Sequence, residues 1–246
     1  KVGLIGTITN IIGNRQLPAE RTTPESPDLQ RLFHDMAREG VEAAVMEVSS
    51  HSLALDRVAG CRYEIGVFTN LTQDHLDFHG TLENYRNAKA KLFQQSRLAV
   101  INVDDESGRI ILEGLEGKAF TYGIHKPADI FARDIEITAE GVSFNLHILG
   151  GKIGVNLHIP GLFSVYNALA AASACYAAGA SLKDIQNGLE SMRGVPGRFE
   201  LLDTGTEYSV ILDYAHTPDG LENILKTARD LTEGRIVTLF GCGGDR

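Results

Sequence analysis

A chain of 246 residues, 43% hydrophobic and 22% charged, can bury about 70–75% of its unfolded surface and needs no disulfide or metal staple. Its net charge of −9 excludes general nucleic-acid binding, which needs clustered Lys and Arg, but leaves room for one small anionic ligand held by backbone amides. Cys61, Cys175 and Cys242 are far apart and in no CxxC pair, and no apolar run approaches ~18 residues, so the expectation is a reduced, cytoplasmic chain with no membrane segment and no signal peptide.

In chain order, "KVGLIGTI" (1–8) reads as a buried strand. "SPDLQRLFHDMAREG" (26–40) reads as a helix with Leu29, Leu32, Phe33 and Met36 on one face, Pro27 near its start and Gly40 at its end. "AAVMEVS" (43–49), "EIGVFTN" (64–70) and "LAVINVD" (98–104) read as further parallel strands. Between the last two, "TLENYRNAKAKLFQQ" (81–95) is a helix with Thr81 as N-cap and Leu82, Tyr85, Ala88 and Leu92 on one stripe. Strand and helix in alternation imply right-handed crossovers and an α/β fold with a mostly parallel sheet. Residues 118–160 read instead as short strands separated by turns, a small antiparallel patch. Helices return at 164–179 and 181–192. The turn cluster "RGVPGRFE" (193–200) predicts a domain boundary near 195. After it, "YSVILDYAH", "TPDGLENILKTARDL" and "RIVTLFGCGGDR" read as strand, helix and strand. They would begin a second, Rossmann-like α/β domain over 196–246, truncated because ~50 residues build no full sheet.

Ligands of a parallel α/β sheet gather at the carboxyl ends of its strands. Three polar clusters fall there: Glu47, Ser49, Ser50 and His51; Asn70, Asp74, His75 and Asp77; Asp213 and His216. A carboxylate and an imidazole from two strand ends could share a divalent cation. Taken singly, each cluster reads first as a solvated turn. His75 and His79 have the i, i+4 spacing of a zinc pair, yet they precede the N-cap Thr81, and no third ligand has a familiar spacing. "GCGGDR" (241–246) has the composition of an anion-cradling loop.

Seven segments occur in order: "RTTPES", "MEVSSHSL", "VFTNLTQDHLDFHGTLENYRNAK", "GLFSVYNALAAA", "PGRFE", "DYAHTPD" and "GCGGDR". As a set they resemble the Mur ligases, ATP-dependent amide-forming enzymes of peptidoglycan synthesis, over essentially the whole chain. "TTPES", "DYAHTP" and "GCGGDR" look most like the member adding the third stem-peptide residue, diaminopimelate or lysine, to UDP-N-acetylmuramoyl-L-alanyl-D-glutamate. The resemblance implies transfer of the ATP γ-phosphate to the substrate carboxylate, giving an acyl phosphate that the incoming amino acid attacks. It implies one Mg²⁺ held by Glu47 and a second with His75 as a ligand, and a lysine, Lys89, carbamylated by CO₂ into an anionic oxygen donor for magnesium. Lys91 lies about 200° round the helix from Lys89 and is not the residue implied. Thr22, Thr23, Ser50 and Arg57 match positions that hold the UDP-linked substrate; Asn167, Arg198, Asp213 and His216 match nucleotide-side positions. Ser164 stands where many relatives carry asparagine. The family's P-loop, a GxxGK[ST] segment, occurs nowhere in these residues. The expectation is therefore a fragment: a central ATPase domain (1–195) without its P-loop strand, and the start of the last domain (196–246), inactive alone. Two other readings fit less of the pattern: a cyanophycin-synthetase-like or folylpolyglutamate-synthase-like ligase, and a non-catalytic domain on a decayed ligase fold.

Overall fold

The computed structural model describes residues 1–241. The chain divides into two compact units, one formed by Lys1–Tyr63 with His79–Ser96, the other by Glu64–Phe78 with the chain from Arg97 onward. The fold is mixed α/β, with parallel strands and flanking helices joined by antiparallel additions.

In the first unit a four-stranded sheet has the order β3-β2-β1-β4, from β1 (Val2–Ile5), β2 (Thr9–Ile12), β3 (Arg15–Pro18) and β4 (Ala43–Met46). β1 and β4 are parallel, with Val2 opposite Ala43 and Ile5 opposite Met46. The crossover between them is α1 (Ser26–Arg38), which carries proline in its first turn, as the sequence predicts; Gly40 beyond it takes φ +67°, open to glycine at no steric cost. Its Leu29 and Met36 are buried with Ile5, Ile12 and Leu53 in this unit's core. The antiparallel strands β2 and β3 carry no clear period-2 pattern, and the sequence reading leaves them out. A turn at Gly13, with φ +60°, makes them possible. A five-residue helix, α2 (Ser50–Ala54), follows β4 and is capped by the Ser49 hydroxyl, which accepts from Ser52 N. The helix α4 (Leu82–Gln94) is capped by Thr81, as expected from sequence, with Tyr85 and Ala88 buried. Leu82, expected on that stripe, is exposed.

A six-stranded sheet has the order β10-β9-β8-β7-β6-β5, from β5 (Tyr63–Phe68), β6 (Ser96–Asn102), β7 (Lys118–Gly123), β8 (Ile130–Thr138), β9 (Gly141–Ile148) and β10 (Gly151–Leu157). β6, β7 and β8 are parallel neighbours. β7 therefore does not belong to the antiparallel patch in which the sequence reading placed it. Its flanks, not its own alternation, choose its neighbours: α5 (Glu106–Glu113) crosses over before it and the 124–129 connection follows it. β8, β9 and β10 are antiparallel, as read. The helices α6 (Leu162–Ala177) and α7 (Leu182–Ser191) belong to the same unit, and Val165, Leu169 and Ile185 join Val100, Ile130 and Leu146 in its core.

The last segment holds a two-stranded antiparallel ladder, β11 (Glu200–Leu202) with β12 (Val210–Leu212), and the helix α8 (Pro218–Asp230). The expected strand at "RIVTLFG" does not form within the described residues. Val237 and Phe240 are exposed and Leu239 is 99% exposed; a strand exists only through a neighbour's hydrogen bonds, and this stretch pairs with none that is described. Most of "GCGGDR" lies outside the described residues.

Candidate active site

Glu47 follows β4 directly, and its backbone N–H donates to Ile5 O at 2.9 Å, which fixes it at the carboxyl end of the parallel pair. Its carboxylate accepts from Thr7 Oγ1 at 2.5 Å, and Thr7 Oγ1 lies 3.0 Å from Thr22 Oγ1. A carboxylate offers about four acceptor sites, and Thr7 is its one side-chain donor among the described residues. Thr23, 1% exposed, is committed to the backbone beneath: its hydroxyl donates to Glu47 O at 2.8 Å and accepts from Ser49 N at 3.0 Å. Thr22 thus faces the Glu47 carboxylate through Thr7, while Thr23 holds the 47–49 turn in shape. Thr7 was missed by the sequence reading, because a lone threonine in "GTITN" has no local signature.

Ser50 opens α2 and is buried, with Oγ 2.9 Å from His79 Nε2. The His79 ring stacks on Tyr85 (centroids 4.9 Å apart, planes 14°) and lies 5.5 Å from His51. Lys89, one turn on along α4, places Nζ 5.3 Å from the Tyr85 ring centroid. Ser50, His79, Tyr85 and Lys89 therefore form one column inside the first unit. His79 is engaged by Ser50 and Tyr85 in this column; Tyr85 was read only as a core position. Arg57 pairs with Glu25 at 3.1 Å, and its backbone carbonyl accepts from Ser26. The Arg57 Nε is buried without an acceptor, which is costly for a guanidinium donor.

In the second unit His75 precedes the short helix α3 (Leu76–His79) and takes φ +54°. Its N–H donates to Asp74 Oδ1 at 2.7 Å, and its Nε2 lies 3.4 Å from Asp74 Oδ2. The zinc pair raised by the spacing of His75 and His79 does not arise, because the two do not share one regular helical face. Among the described residues no three His, Cys, Asp or Glu side chains come together as a metal cage.

The nucleotide-side candidates gather around the β11–β12 ladder, apart from Asn167, which is exposed on α6. Asp213 accepts from Phe199 N and from Ala215 N, each at 2.7 Å, and so joins the "PGRFE" and "DYAHTPD" segments. The Arg198 guanidinium lies 5.2 Å from the Tyr214 ring centroid, and the edge of His216 meets the same ring at 5.3 Å. Phe199, held at φ +42°, packs its ring 5.9 Å from Phe163 of α6. Tyr214 is the residue that sequence reasoning passed over between two candidates.

Comparison with known proteins identifies two family models: the Mur ligase middle domain matches residues 1–175, and the Mur ligase glutamate ligase domain matches residues 197–246. A UDP-N-acetylmuramoyl-L-alanyl-D-glutamate–2,6-diaminopimelate ligase of Clostridium tetani is 54% identical over all of this chain, and one of Alkaliphilus oremlandii is 51% identical. The chain spans about half the length of these curated relatives, 51% of each. A solved structure of a ligase with the same printed name superposes with a TM-score of 0.82 at 37% identity, covering 100% of this chain and 51% of that one. MurF from Acinetobacter baumannii shares the fold, with a TM-score of 0.73 at 24% identity over 83% of this chain and 46% of that one.

Proposed function

The chain belongs to the Mur ligase family, and from that premise we propose that it forms the catalytic middle of an ATP-dependent ligase that joins diaminopimelate to UDP-N-acetylmuramoyl-L-alanyl-D-glutamate in the cytoplasm. The observation that carries this reading is the match over the whole chain, at 54% identity, to a ligase of that name. The boundary near 195 would separate the ATP-handling domain from the start of the last domain, a division supported by the gap between the two family models.

The residues suit Mg²⁺. Glu47 presents a hard oxygen donor with one protein hydrogen-bond donor on it, and magnesium favours one or two carboxylates plus phosphates over an all-protein cage. Glu47 would hold one Mg²⁺ and His75 a second, and magnesium when bound neutralises charge on the phosphates. His75 lies against Asp74, a carboxylate of the kind that orients a metal-ligating imidazole. Lys89 would take up CO₂ through its neutral amine, forming an N–C bond and releasing a proton. The Tyr85 ring favours the ammonium, so the amine leaves that contact as it loses its charge. Thr22, Ser50 and Arg57 would hold the UDP-linked substrate, with Thr23 as their backbone support. Asn167, Arg198, Asp213 and His216 would hold ATP. The substrate carboxylate attacks the γ-phosphorus, ADP leaves, and the amine of diaminopimelate then displaces phosphate from the acyl phosphate.

The test is Lys89→Ala in a full-length ligase carrying this sequence, with Lys91→Ala as control. Lys89→Ala is expected to slow ligation by about 10²-fold or more, with partial recovery on adding short-chain carboxylic acids, while Lys91→Ala keeps the parent rate. An unchanged rate for Lys89→Ala would remove the lysine from the mechanism.

A further inference from the structure

The segment "INVDDE" (101–106) enters none of the roles above, yet it carries a polar network that reaches Thr69, Leu71, Ile124 and Tyr166 elsewhere in the second unit. Asn102 Nδ2 donates to Thr69 O at 2.8 Å, and its Oδ1 accepts from Asp104 N at 3.0 Å. Asp105 accepts from Leu71 N at 3.0 Å and from Gly108 N at 3.1 Å, which caps α5. The Asp104 carboxylate accepts from three successive amides beyond β7: Ile124 at 2.6 Å, His125 at 3.0 Å and Lys126 at 2.7 Å. It also accepts from the Tyr166 hydroxyl, 62 residues away on α6, at 2.8 Å. Four donors fill the acceptor sites of one carboxylate. Gly123 leaves the room for this: a Cβ there would lie 3.1 Å from Asp104 Cγ and from both of its oxygens.

We propose that Asp104 and Tyr166 are positioning residues for the nucleotide site, holding α6 at the rotation that presents Asn167. This inference rests on the reading of Asn167 as a nucleotide-side residue. Tyr166 and Asn167 are consecutive, about 100° apart on the helix, so a tether on one sets the direction of the other. Side-chain tips lie roughly 5–6 Å from a helix axis, so a 10° rotation moves a tip by about 1 Å. Displacements of that size at a binding group weaken function by up to ~10²-fold. Burial of Ser164 and Val165 holds the opposite face of the same turn against the core but does not fix its rotation through a directional bond to the sheet; the Tyr166 hydroxyl does. The Asp104 contacts also hold the 124–126 connection against the same helix turn, so sheet, connection and helix move as one piece.

The experiment compares Tyr166→Phe, which deletes one hydroxyl and keeps the three amide bonds, with Asp104→Asn and the double variant, all in the full-length ligase. The expected result is a KM for ATP raised about 5- to 10-fold by each single variant, with kcat at saturating ATP within about twofold of the parent and the KM for the UDP-linked substrate unchanged. The double variant should match the worse single, because both break one tether. Equal loss toward every substrate, a fall in kcat alone, or single effects that multiply would overturn the proposal and mark the network as bulk stabilisation. A parent without ligase activity would sink the functional reading instead, and the tether would then be read by amide hydrogen exchange. Faster exchange in the first turns of α6 in both single variants supports it, and exchange equal to the parent's in Tyr166→Phe overturns it.

Discussion

Glu47 and Asp104 stand at the same place in their local sequences: each is the first acid after an apolar strand, β4 in one compact unit and β6 in the other. Their surroundings differ. Asp104 is enclosed by three amides and a phenol, whereas Glu47 has one hydroxyl on its carboxylate. Burial pushes the Asp104 carboxyl upward, but the Ile124 and His125 amides, the Tyr166 hydroxyl and the Lys126 amide pull it below the ordinary carboxylate range. A saturated carboxylate organises its own fold; one with spare lone pairs can serve a cation or a substrate. The hydrogen-bond inventory of an acid, more than its position at a strand end, separates a building element from a chemical group.

The largest effect expected from this contrast is on rate. Glu47→Gln, nearly isosteric, should lower ligation in the full-length enzyme by about 10²-fold or more, while the thermal midpoint stays within a few degrees of the parent's. A rate within threefold of the parent would place Glu47 alongside Asp104 as a structural acid. A smaller effect comes from the group that orients it. Thr7→Val should raise the Mg²⁺ concentration for half-maximal rate roughly 10-fold, the range for groups that orient a metal ligand; a magnesium profile identical to the parent's would show that the 2.5 Å contact has no bearing on the site. The smallest effect is on acid stability. The folded-state pKa of Asp104 is lowered, so its contribution is full above the unfolded value of about 3.9 and is lost as pH falls through the lower folded value. Urea unfolding of the parent and Asp104→Asn should therefore differ at pH 7 and converge below about pH 4. A difference that stays constant over that range would break the account of Asp104.

Much of the local structure was legible in the sequence. Thr81 caps α4 through its hydroxyl, α1 begins at a proline and Gly40 lies just past its end, and β4, β5 and β6 fall where apolar runs occur. These features follow from dihedral preferences and short-range hydrogen bonds, which a few consecutive residues encode. The hairpin at β2 and β3 escaped notice because "TITNIIGNRQLP" alternates too weakly to announce a strand. The missing strand at 235–240 was over-read because apolar residues raise strand propensity but supply no pairing partner. Of the candidate site, the gathering of Arg198, Asp213 and His216 around Tyr214 could be anticipated only from motif order, because the link is a hydrogen bond from Phe199 N to Asp213 across 14 residues.

By itself the sequence determined the alternation of strands and helices, the caps that bound them, and the seven ordered segments that place the chain among the Mur ligases. Tertiary structure alone decided which acids are occupied and which are open, that Thr23 supports a turn while Thr22 reaches toward Glu47 through Thr7, and that a tyrosine on α6 closes on an aspartate after β6. The physical reason is range. Helical and strand periodicity is set by near neighbours, whereas the state of a carboxylate depends on donors that folding brings from 20 to 62 residues away.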